Sequence, residues 1–147
     1  MNNIETIEKL LKDELAATET YQQVLDKLRK DAGLGKTESL MPIFDDHKEA
    51  VSSLQAQILQ MGGTPADGSG VWGEWANIIQ GGANLLGKTA ALMALRAGEK
   101  SGEEDYEKSL LDLELPSDVR ALIETKLLPA QQAHIRALDR LLDSIPA

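Results

Sequence analysis

Apolar residues recur along the first segment of the chain in alternating steps of three and four: Ile4, Ile7, Leu11, then Tyr21, Leu25 and Leu28. That spacing lines one face of an α-helix, so the segment reads as a helix burying this stripe. Glu14 and Thr18 fall on the same face, and Glu14 interrupts the stripe. The run Asp31-Ala32-Gly33-Leu34-Gly35 closes the helix with glycines suited to a left-handed turn, and Thr37 can cap the next one. A second helix, running to about Met61, presents Leu40, Ile43, His47, Val51, Leu54, Ile58 and Met61 on one face. His47 thus occupies a core position, as Glu14 does.

A third helix is expected from Leu86 to Leu113, with Leu92, Leu95, Glu99, Gly102, Tyr106 and Leu110 facing inward. A fourth starts at Pro116-Ser117 with the serine as cap, and its face carries Val119, Ile123, Leu127, Ala130, His134, Leu138 and Leu141. Pro129 lies inside that helix and should bend it one turn before His134, because it removes a backbone hydrogen bond. Pro42, nearer its helix start, disturbs less. Alternating β-branched runs are absent from the sequence, so no sheet is expected.

The four stripes come in two similar pairs. Glu14 and Tyr21, then Pro42 and His47, are matched by Glu99 and Tyr106, then Pro129 and His134. The flanking apolar residues agree as well, Leu25 with Leu110, Leu28 with Leu113, Met41 with Leu128 and Leu54 with Leu141. One helical hairpin cannot bury its own stripe, so two should pack together and enclose both Glu/His sets. The expectation is an all-α four-helix bundle forming a single domain over residues 1–147, with one repeat at 3–61 and the other at 86–145. Residues 62–85 then form a long crossover between helices two and three, which would run parallel. Trp72, Trp75, Ile78 and Ile79 lie there at helical spacing, broken by Gly81-Gly82, and the tryptophans should pin the crossover to the side of the bundle.

Composition narrows the chemistry. The formal net charge of −9 argues against general binding to nucleic acid or an anionic membrane, which are held by clustered lysine and arginine. The first residues mix acids among apolar positions, unlike a secretory signal, and no apolar run approaches the roughly 20 residues needed to span a bilayer, so a cytoplasmic protein is expected. Cysteine is absent, so any metal must be held by oxygen and nitrogen. Gly62-Gly63 and Gly81-Gly82 are helix ends or bends without phosphate-binding spacing, and no serine has a recognisable nucleophile arrangement. Asp45, Asp46, Glu103, Glu104, Asp105 and Glu107 read as solvated helix faces.

What remains is Glu14, His47, Glu99 and His134 projecting into one core. A buried carboxylate or imidazole is costly unless paired, hydrogen-bonded or bound to metal. Two Glu and two His from four helices suit iron, manganese or zinc, and Tyr21 and Tyr106, two turns beyond the glutamates, can donate hydrogen bonds behind them. With these residues the sequence resembles the ferritin-like superfamily, including rubrerythrins and bacterial ferritin-like proteins of unknown function, over nearly its whole length. The resemblance implies a glutamate from each of the first and third helices, often with a tyrosine seven residues later, and Glu-x-x-His from the second and fourth. Glu14 with Tyr21, Glu99 with Tyr106, His47 and His134 match. The glutamates expected three residues before each histidine are Phe44 and Gln131.

A phenyl ring and a neutral amide in place of bridging carboxylates remove two negative charges, so a standard oxygen-activating di-iron centre is not expected. One divalent ion held by Glu14, His47, Glu99 and His134 stays near charge balance, with water or Gln131 completing its coordination. Glu103 should face solvent rather than swing in. The competing reading is a metal-free polar cluster inside a structural, stress-associated or protein-interaction module, with the Trp72 and Trp75 region as a homodimer or partner surface.

Overall fold

The computed structural model describes residues 3–30, 38–67 and 88–145, and among these it is entirely helical apart from turns and short connections. Helix α1 spans Asn3–Lys30, α2 Met41–Gln60 and α3 Lys88–Ser109. The last helix is continuous but not uniform: α4 (Ser117–Leu122) passes into a π-helical turn (Ile123–Leu127) and then α5 (Leu128–Asp143). Helix α1 packs on α2 and α3, and α3 packs on α5. This is the expected four-helix bundle. The Thr37 cap and the expected crossover from residue 68 on, with its two tryptophans, lie outside the described residues.

The apolar stripes do not merge into one core. One cluster joins Ala16 to Leu28 of α1 with Leu40, Ile43 and Phe44 around the start of α2, Leu92 and Leu95 of α3, and Leu138 of α5. The other joins Ile7 to Leu11 with Ala50, Leu54 and Ile58, Tyr106, and Val119, Ile123 and Leu127. The first half of α2 therefore meets the first half of α3. These two helices run in the same direction, as expected.

Glu14, His47, Glu99 and His134 each fall where their helix passes from one apolar cluster to the other. They form a polar layer between two dry ends. Thr18, the other polar residue of the α1 stripe, turns its hydroxyl back to the Glu14 carbonyl at 2.9 Å, which satisfies it locally.

Helix ends depart from expectation in three places, each with a local cause. Helix α2 begins at Met41, with Pro42 in its first turn, where the missing N–H costs no intrahelical bond. Helix α3 stops at Ser109 rather than Leu113, which is 93% exposed. There the Arg120 guanidinium takes the carbonyls of Leu110 and Asp112 at 2.9 and 2.7 Å, and the Asp112 carboxylate accepts the Glu114 N–H at 3.0 Å. These bonds serve backbone groups that another helical turn would have used. At α4 no serine cap forms: Pro116 is the cap residue, with extended backbone and no side-chain bond, and Ser117 is already helical.

Just before Pro129, where a bend is expected, the helix widens into the π turn. Leu128 N–H bonds to the carbonyl of Ile123, five residues back, and Thr125 turns its hydroxyl to the Ala121 carbonyl at 2.6 Å. Proline cannot donate and its ring crowds the preceding turn, so a widened turn just before it relieves both problems.

Candidate metal centre

Each tyrosine bonds across the bundle, not along its own helix. Tyr21 donates to Glu99 Oε1 and Tyr106 to Glu14 Oε1, both at 2.8 Å. Both phenols are buried, and burial together with the facing carboxylate pushes each well above its ordinary range, so both remain donors. The glutamates are thereby fixed from behind.

His47 sits between them. Its Nδ1–H donates to Glu14 Oε2 at 2.6 Å and its Nε2–H to Glu99 Oε1. Ionised carboxylates only accept, so making both bonds requires a proton on each ring nitrogen. Burial pushes the imidazole pKa down, but the charges of Glu99 and Glu14 and their hydrogen bonds outweigh it, leaving the pKa well above 6.5. For Glu99 the balance is mirrored: burial raises it, yet His47 and His134 hold it at about 2.

His134 approaches the remaining oxygen, with Nδ1 3.3 Å from Glu99 Oε2, and its ring centroid lies 4.9 Å from that of His47. The two histidines thus meet the two oxygens of one carboxylate. Ligand atoms from His47, Glu99 and His134 all lie within 4.8 Å of one another, close enough to share one ion, and all three residues are buried. Glu14 is not in this group; its Oε2 holds the far nitrogen of His47.

The residues replacing the bridging glutamates are otherwise engaged. Phe44 packs into the first apolar cluster, with the Lys48 ammonium 4.4 Å from its ring centroid. Gln131 stands beside the site but spends its amide on the main chain, Nε2 donating to the Glu99 carbonyl at 3.0 Å. A second ion would lack its carboxylates, so the donor set does not fit a di-metal centre. Glu103, expected to face solvent, is instead buried; its carboxylate lies 2.8 Å from the Lys100 ammonium, and it is not among the clustered ligands.

Gly102 makes the Gln131 contact possible, since a Cβ there would come within 2.4 Å of Nε2. Gly102→Ala should be nearly neutral in urea unfolding. It displaces the flexible end of Gln131, losing about 1 kcal/mol of hydrogen bond, and gains about as much in helix propensity. Gly102→Leu adds bulk the site cannot pass and should cost about 1–3 kcal/mol.

Asp46, one of the acids expected on a solvated face, meets the site. Its side chain is half exposed, yet Oδ2 lies 2.8 Å from His134 Nε2. Each histidine therefore has a carboxylate on its outer nitrogen, Glu14 for His47 and Asp46 for His134, while the inner nitrogens converge on Glu99. Outer carboxylates of this kind fix ring orientation and raise ligand basicity. Beside the histidines a cavity of about 110 Å³, lined among others by Asp46, Glu49, Lys126 and Gln131, separates α2 from the π turn and α5.

A family model described as a domain of unknown function (DUF2383) matches residues 2–112. A crystal structure of ferritin-like, diiron-carboxylate proteins from Bacillus anthracis strain Ames is 18% identical. It aligns over 97% of this chain and 99% of its own, with a TM-score of 0.64, and at that identity the likeness shows the fold. Comparison with curated proteins finds no match. Among the described residues no helix is long and apolar enough to cross a membrane.

Proposed function

The chain belongs to the DUF2383 family and has a ferritin-like fold, and for it we propose a protein that takes up one divalent ion in the polar layer of its bundle. The ligands are His47 through Nε2, Glu99, and His134 through Nδ1; Glu14 and Asp46 orient the rings. The observation that carries this reading is the convergence of both histidines on one buried carboxylate. Two imidazoles and one carboxylate suit iron(II), manganese or zinc, with further positions left for water or a small ligand. Bound there, the ion would supply Lewis-acid chemistry or, if iron or manganese, redox chemistry. The chain's own contribution is to fix the two rings, to close the layer above and below with its apolar clusters, and to release the His47 proton as the ion binds. The crossed tyrosine bonds accord with two duplicated hairpins.

The test is metal analysis of protein purified without a histidine tag, followed by iron(II) and zinc titrations. One ion per chain is expected, lost in Glu99→Ala and weakened about 10–100-fold in Glu14→Ala, which removes only an orienting carboxylate. Two ions per chain, or none, would refute the proposal. A metal-free polar layer in a structural module is the second reading, and one observation favours it: both oxygens of Glu14 and of Glu99 already face protein donors. Under that reading the network is complete without an ion, and zinc leaves unfolding unchanged.

A further inference from the structure

The polar layer is sealed above and below by apolar clusters, so an ion must reach it from the side. The cavity of about 110 Å³ beside the histidines is lined by His47 and His134 at its inner end and by Glu49 and Lys126 among its remaining residues. Glu49 and Lys126 are more than half exposed and form an ion pair of 2.7 Å that ties α2 to the π turn. Asp46 stands between surface and core: its side chain is half exposed, and its carboxylate already reaches His134 Nε2. Asp46 and Glu49 are three residues apart on α2, hence on one face, and both line this cavity.

Resting on the single-ion reading above, we propose that this lateral cavity is the route by which a divalent cation reaches the core, with Asp46 as the transfer ligand and the Glu49–Lys126 pair as its gate. A hydrated cation is drawn to the two carboxylates on α2. Lys126 opposes it twice, by charge and by occupying Glu49. Once the pair parts, Asp46 can exchange its contact with His134 for one with the ion and pass it to the inner ring nitrogens. The π turn contributes by carrying Lys126 to the cavity, on the segment just before the helix that bears His134.

Stopped-flow transfer of zinc from a chromogenic chelator to the full chain tests this. Lys126→Met keeps the aliphatic stem, and an exposed ion pair contributes so little to stability that the fold should be unaffected. Its association rate should rise about three- to tenfold at low salt, with the gain shrinking as salt screens the mouth. Asp46→Asn should slow association about tenfold, with recovery in Asp46→Glu. Lys9→Met, at the distant Lys9–Asp105 pair, is the control and should leave the rate unchanged. Uptake whose rate stays within twofold of wild type in both Lys126→Met and Asp46→Asn, or a Lys9→Met gain equal to that of Lys126→Met, would overturn the route while leaving the ion site standing. Absence of uptake by the wild type would overturn both.

Discussion

Glu99→Leu should be the most damaging single substitution in the bundle, costing about 3–5 kcal/mol of folding stability in metal-free protein. Glu99 is fully buried and accepts from Tyr21, His47 and His134 at once. Leucine there removes the acceptor that the buried Tyr21 phenol, the buried His47 imidazolium and the inner nitrogen of His134 all face. Glu14→Leu should cost less, since Glu14 accepts from His47 and Tyr106 alone among these groups. Tyr21→Phe removes one donor to a charged acceptor and should cost about 1.5–3 kcal/mol. Urea unfolding of the three variants with chelator present gives the order. If Glu99→Leu proved no worse than Tyr21→Phe, the network would not be organised around this carboxylate.

Much of this centre is written in the one-dimensional pattern, because a titratable residue in an apolar stripe is visible without a structure. Glu14, His47, Glu99 and His134 each occupy such a position, and burial of all four follows from helical periodicity alone. Their division of labour does not follow. Spacing places a side chain on a face, but which ring nitrogen meets which oxygen depends on helix rotation and tilt, so Glu14 looked equivalent to Glu99. Asp46 was hidden for a related reason: beside Asp45 it has no distinguishing period, and only the approach of α5 brings His134 to it. Gln131 resembled a spare ligand because its role depends on Gly102 of another helix. The π turn did leave a trace. Val119, Ile123, Leu127 and Gln131 are all buried in successive steps of four, longer than the α-helical 3.6, and an α-helix would have rotated that row off the core. The same long steps bring Gln131 into the core beside His134, where the expected inward face had Ala130 instead.

The pH dependence of stability should separate the ion-binding reading from the metal-free one, because His47 responds to pH in opposite directions in the two. In metal-free protein its pKa is raised above 6.5 on folding. The stability it contributes is complete below 6.5 and disappears as pH rises through the higher folded value, so an alkaline limb is expected. Glu99 acts on the other side. Its pKa falls from 4.5 to about 2, so its contribution is complete above 4.5 and disappears as pH falls toward 2, a loss of about 3 kcal/mol. The metal-free chain should therefore be most stable between these limits. An ion must displace the His47 proton, so its affinity should strengthen as pH rises, and ligand-linked stabilisation grows with affinity. Saturating zinc should then flatten or reverse the alkaline limb while adding little near pH 5, where protons compete best. Urea unfolding across pH 4 to 9, with chelator and with zinc, reads both curves on the same protein. Superimposable curves would leave the polar layer as a self-sufficient network, and a zinc effect greatest at low pH would contradict His47 as a ligand.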